Sequence, residues 1–258
     1  MKETSFEDHL FESDVSTFHK GSMKLLEIQD NPDKIVRMET FSSLEKRCKG
    51  KLDPVEMAEI GQELYEELQD KYGISVPVEF VLGKSPESED VVYAIVDKIK
   101  GENIVKIEPS LELAKEVEGL YEKIARYYLD KFSQKNSFYL VDINSASQYV
   151  FGTKKSESLP SVHLVDTDLY THNGKVALCN VIIWLMRHMF SAEDKFDRKF
   201  DTARGIIGNI LDAPLPEGLS DEQIKAANKI IDKAKRFLQS GMLDEGDDEV
   251  HPIFNELN

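Results

Sequence analysis

Met23-Lys-Leu-Leu-Glu-Ile-Gln-Asp-Asn-Pro-Asp-Lys-Ile-Val-Arg-Met38 is the stretch on which the fold turns. Two short apolar runs, residues 23–29 and 34–38, flank Asp30-Asn-Pro-Asp33. A turn cluster between such runs predicts a β-hairpin. The second strand carries a cation, Arg37, close to its end. Downstream, Pro54 opens a segment in which Met57, Ile60, Leu64 and Leu68 recur at three and four residues, with Glu59, Glu63, Glu66 and Glu67 around the rest of the wheel. That spacing is a single apolar stripe on a helix, and Gly73 ends it. A second hairpin follows, Val76–Leu82 and Val91–Val96, joined by the polar loop 83–90.

Past residues 98–101, read as a linker, the pattern lengthens. Leu113, Val117, Leu120, Ile124 and Tyr128 predict a helix starting near Ser110, a suitable N-cap. Two strand-like pieces come next, residues 138–140 running into Asp142 and residues 161–165 running into Asp166. Phe151-Gly152 reads as packing and turn, His163 as structural, and His172 as a turn residue. The remainder reads as helices over 176–190, 198–211 and 221–238, the last capped by Ser220. The expected class is α+β, a small β-rich part followed by a larger helical one.

The 258 residues carry 32 basic and 48 acidic side chains, a net charge of −16. Such a surface repels phosphate backbones and anionic lipid, so neither nucleic acid nor membrane is an expected partner. The two cysteines, Cys48 and Cys179, stand far apart with no Cys/His cluster around them, which fits a reducing compartment. No apolar leader opens the chain, and the most apolar run, residues 176–190, is too short to span a bilayer and contains Asn180 and Arg187. A cytoplasmic location is expected. The acidic run Asp244–Glu249 reads as part of a solvated tail over 244–258.

Arg37, Asp142 and Asp166 stand at or near the ends of strand-like segments, and Gln148 lies six residues after Asp142. Singly, an Asp in such a place is a turn residue. In this order the set matches what phosphoryl transfer asks of a protein: a cation for the phosphates, a carboxylate near the acceptor, and hard oxygen ligands for a metal.

At these residues the sequence resembles the protein kinase-like superfamily, in a divergent form closer to the aminoglycoside and choline phosphotransferases. Lys34-Ile-Val-Arg37 is similar to the third-strand motif that ordinarily ends in Lys, and Glu63 falls where the ion-pairing Glu of the following helix belongs. Tyr93–Glu102 resembles the fifth strand and hinge, which implies that the backbone of Asp97, Lys98 and Ile99 meets adenine. Val141–Gln148 resembles the catalytic loop, with Asp142 as its carboxylate. Val162-His-Leu-Val-Asp166 resembles the strand before the DFG motif and implies Asp166 as chief magnesium ligand, joined by Gln148 or Asn144. Gly21, in His19-Lys-Gly-Ser22, is the one glycine near the expected phosphate loop.

The resemblance implies a bilobal kinase-like fold, with an N-lobe over 1–98, a C-lobe over 99–243 and the tail beyond. It implies an ATP- and Mg²⁺-dependent phosphotransferase acting on a small-molecule or protein hydroxyl. The departures, Arg37 for Lys, Leu140-Val141 for His-Arg and Asp168 for the Gly of DFG, keep a second expectation open: a pseudokinase serving as a binding or regulatory scaffold. Transfer of another part of ATP is a third.

Overall fold

The computed structural model describes residues 10–12, 24–28, 31–48, 53–76, 78–85, 89–133, 139–141, 143–155, 157–166, 171–173, 175–215 and 220–241. Gly21, Asp142, Asp168 and the tail 244–258 lie outside them. The fold is mixed α+β, and its contacts separate two compact units, Met1–Ile104 with Gln148–Thr171, and Val105–Ser147 with His172–Asn258.

The first unit contains an antiparallel sheet of five strands: β1 (Leu10–Glu12), β2 (Lys24–Ile28), β3 (Asn31–Thr40), β4 (Val78–Lys84) and β5 (Asp90–Asp97), in the order β1-β2-β3-β5-β4. Between β3 and β4 run helices α1 (Phe41–Cys48) and α2 (Pro54–Tyr72). Strand alternation sorts the side chains onto two faces. Leu26, Val36, Met38, Val91, Tyr93 and Ile95 make one apolar cluster. On the other face Val92 packs with Leu44 of α1 and with Met57 and Ala58 of α2. Arg37 pairs in register with Ala94 and Glu39 with Val92, so Arg37 belongs to the helix-covered face.

The ends of α2 follow from local chemistry. Asp53 Oδ1 accepts from the Val55 and Glu56 amides at 2.8 and 2.9 Å, Pro54 starts the first turn, and Gly73 closes the helix at φ 64°. The Gly73 and Ile74 amides return to the carbonyls of Gln69 and Leu68, which satisfies the last turn.

Several expectations needed revision here. The turn expected over Asp30–Asp33 is shorter, because Asn31, Pro32 and Asp33 begin β3 across a register irregularity opposite Glu27 and Ile28. Proline is tolerated there, at a strand start beside a bulge. The linker expected over 98–101 gives way to a strand, β6 (Lys100–Asn103), in a three-stranded antiparallel sheet with β8 (Tyr149–Thr153) and β9 (Ser161–Leu164), order β6-β8-β9. Phe151 and Gly152 are therefore strand residues. Residues 148–171, expected in the C-lobe, group with the first unit.

The second unit is mainly helical: α3 (Leu111–Ser133), α4 (Lys175–Phe196), α5 (Asp201–Asp212) and α6 (Asp221–Ser240), with α3 packed on α4 and α5, and α6 on α4 and α5. Ser110 caps α3 as expected, its Oγ accepting from the Leu113 amide at 3.1 Å. A two-stranded sheet pairs β7 (Tyr139–Val141) with β10 (Thr171–Asn173), so His172 is in a strand, not a turn. Glu193, 6% exposed, accepts from the Phe200 amide and from Arg204, tying α4 to α5. No helix among the described residues is long and apolar enough to cross a membrane.

Candidate functional site

Arg37 and Asp166, 129 residues apart in sequence, meet. Arg37 Nη1 donates to Asp166 Oδ1 at 3.0 Å. The Arg37 side chain is 14% exposed and that of Asp166 53%, so the cation is seated in the fold while the carboxylate faces solvent. β3 supplies the cation through its register with β5. The carboxylate follows directly on β9.

Backbone bonds fix the approach to Asp166. The amides of Val165 and Asp166 both donate to the Gln148 carbonyl, at 2.9 and 3.3 Å, and the Leu164 amide donates to the Ser75 carbonyl at 2.8 Å. Gln148 ends a short 3-10 turn, Ala146–Gln148, and is buried at 8%. Its backbone therefore has a definite role beside Asp166, one that sequence reasoning, concentrating on its side chain, did not find.

The other expected residues are placed as follows. Lys98 donates its amide to the Asp33 carbonyl at 2.7 Å, extending the β3–β5 ladder. The Asp97 carboxylate pairs with Lys34 at 3.2 Å. Glu63 is exposed on α2, and no hydrogen bond or ion pair joins it to Arg37 among the described residues. Asn144 belongs to the second unit; it is buried at 4%, and its Oδ1 accepts from Tyr128 at 3.0 Å.

His163 is fully buried, at 0% exposure. Its Nδ1 lies 2.8 Å from Ser75 Oγ, and its Nε2 lies 3.2 Å from the Gly152 carbonyl and 3.1 Å from Ser161 Oγ. Burial pushes the imidazole below its ordinary value, against the opposing pull of the Gly152 carbonyl and of Glu157, whose carboxylate lies 3.4 Å away. The ring is thus neutral at physiological pH. On the same hairpin Lys155 pairs with Asp33 at the start of β3.

Two glycines were also missed. Gly101 of β6 and Gly152 of β8 face each other in register. A Cβ on Gly152 would lie 2.5 Å from the Lys100 carbonyl oxygen, and one on Gly101 2.1 Å from that of Phe151. Only glycine permits the two backbones to come this close. The signal in the sequence was the glycine inside an apolar segment, Tyr149-Val-Phe-Gly-Thr153, which marks a close backbone approach as well as it marks a turn.

Magnesium takes one or two carboxylates and completes its shell with substrate phosphate and water. Asp166 fits that demand: it is exposed, and its Oδ2 carries no hydrogen bond among the described residues. No three His, Cys, Asp or Glu side chains group into a cage among the described residues.

No protein-family model matches the chain, and no curated protein does.

Proposed function

We propose that the first unit binds a magnesium–ATP complex and that the protein transfers its terminal phosphate to a hydroxyl acceptor. The observation that carries this reading is the contact of Arg37, on β3 of a sheet ordered β1-β2-β3-β5-β4 with its helices inserted between β3 and β4, with Asp166, which comes shortly after β9. In the kinase-like family that the sequence resembles, a third-strand cation and a metal-binding Asp act on the same phosphates, although there the cation's ion-pair partner is a helix Glu.

In this reading Asp166 holds the cation, which neutralises charge on the phosphates. Arg37 would place its guanidinium fork beside Asp166 and donate to the phosphate oxygens. The backbone of residues 97–99 would meet the base, the Lys98 amide being already bonded to the Asp33 carbonyl. Asp142 is the carboxylate that orients the acceptor hydroxyl and takes its proton. Positioning and electrostatics supply the rate enhancement.

Thermal unfolding with and without ATP and Mg²⁺ tests this. Ligand at about 100 times its Kd adds roughly 2.7 kcal/mol, several degrees for a chain of this size. The shift should require Mg²⁺ and disappear in Asp166→Asn, while Asp142→Asn keeps the shift and loses phosphate transfer. Absence of any shift at millimolar ATP with Mg²⁺ rejects the reading.

A second reading, a scaffold that binds nucleotide or a protein without transferring phosphate, is favoured by two observations. Glu63 is exposed and does not reach Arg37, and the Asn144 oxygen is taken by Tyr128. A magnesium-dependent shift with no phosphate released or transferred would select it.

A further inference from the structure

The Asp166 strand is held to the α2–β4 connection by a bridge through one buried ring. Gly152 offers a carbonyl, which only accepts, so the proton of the neutral imidazole sits on Nε2 and is donated there. Nδ1 is then an acceptor and takes the Ser75 hydroxyl. Ser75 binds the same strand a second time, its carbonyl accepting from the Leu164 amide. Ser75 itself follows the left-handed cap at Gly73, which fixes where α2 ends. The path from that cap to Asp166 is a run of short, directional bonds.

We infer that His163, bridged between Ser75 and Gly152, is a positioning residue that fixes β9 so that Asp166 meets Arg37. Its effect on nucleotide binding rests on the function proposed above. Its effect on β9 does not. His163 touches no reacting atom; it acts through the strand that carries Asp166.

The test uses the full chain and three variants. His163→Leu keeps much of the bulk and removes the ring's hydrogen bonds to Ser75, Gly152 and Ser161. Ser75→Ala removes the donor to Nδ1 and leaves the ring in place. His163→Gln retains one amide donor and one oxygen acceptor. Two quantities are read: hydrogen exchange in the peptide 161–166, compared with the peptide 57–68 from α2, and the dissociation constant for Mg·ATP by calorimetry.

Losing one buried hydrogen bond in Ser75→Ala should raise exchange in 161–166 about tenfold and weaken Mg·ATP by about the same factor, and His163→Leu, which loses all of them, should do so at least as much. His163→Gln should restore both in large part. Exchange in 161–166 that stays at the wild-type rate overturns the inference, as does exchange that rises equally in 57–68. Faster exchange in 161–166 with unchanged Mg·ATP affinity overturns the link to Asp166. If the wild-type protein binds no Mg·ATP, the nucleotide reading fails and the exchange comparison alone decides what His163 does. If His163→Leu does not fold, Ser75→Ala carries the test.

Discussion

Arg37 is the residue at which charge and geometry can be separated by a single exchange. A guanidinium is a planar fork, whereas an ammonium is a compact point charge on a flexible stem. Arg37→Lys keeps the charge but gives up the fork that reaches Asp166 from a mostly buried stem. The expected result is a roughly tenfold weaker Mg·ATP complex with an unchanged melting temperature without nucleotide, since half-exposed ion pairs contribute only about 0–1 kcal/mol. Calorimetry and thermal unfolding of the two proteins decide it. His163 makes a prediction in pH. Its folded value lies below the ordinary 6.5, so the unfolded chain binds the proton first as pH falls. Stability from this group is complete above about 6.5 and declines as pH drops from there toward the folded value. The facing charges are Glu157, Lys154 and Asp97. In His163→Gln the slope of unfolding free energy just below pH 6.5 should shrink by up to about 1.4 kcal/mol per pH unit, measured by urea unfolding. An unchanged slope would mean that the ring titrates alike in both states. Arg37 and Asp166 were legible because each is a charge at or near the end of a short apolar run, whereas Ser75 was not, because a serine after a helix-ending glycine has no pattern of its own.

At the scale of the element, the strands split into those written in their own residues and those made by their partners. β5 is a continuous apolar run, Val91–Val96, buried on both faces, and α2 carries its stripe, its starting proline and its stopping glycine. Both could be read directly. β6, Lys-Gly-Glu-Asn, is largely exposed and has no apolar face. It becomes a strand only because β8 supplies the ladder, and a single sequence does not show that pairing. α1 escaped notice because it is eight residues long, and its Thr40 cap, accepting from the Ser43 amide at 3.3 Å, resembles any polar turn. The glycines supply a paired test. Gly152→Ala places a Cβ against backbone that cannot swing aside, and should cost about 1–3 kcal/mol and open the β6–β8 pairing. Gly119, within α3, has no atom within 4 Å of the corresponding Cβ. Gly119→Ala should therefore stabilise the protein by about 0.5–1 kcal/mol, through helix propensity and a less flexible unfolded chain. Denaturant midpoints of the two variants should move in opposite directions, and movement in the same direction would refute the close approach at Gly152.

Across the whole molecule, charge is distributed unevenly between the two units. Residues 1–104 and 148–171 hold 26 acidic and 15 basic side chains, a net −11 of the total −16. The unit with Arg37 and Asp166 is thus the more anionic one, and it resists a polyanion unless a divalent cation accompanies it. That is the physical basis for expecting the nucleotide shift to depend on Mg²⁺. The same imbalance has a consequence without any ligand. Raising salt from about 0.01 to about 0.1 M shortens the screening length from roughly 30 to roughly 10 Å. This weakens repulsion among the excess carboxylates, and it also weakens exposed pairs such as Lys34–Asp97, Lys84–Asp90 and Arg198–Glu118. Each such pair is worth about 0–1 kcal/mol and is local, whereas the repulsion accumulates over every pair of like charges within a screening length. Repulsion should prevail, so the melting temperature should rise by a few degrees over that range in sodium chloride and level off above it. A fall on adding salt would mean that the ion pairs, with Arg37–Asp166 and Lys155–Asp33 among them, outweigh the net charge; the Arg37→Lys protein would then show a smaller fall than wild type.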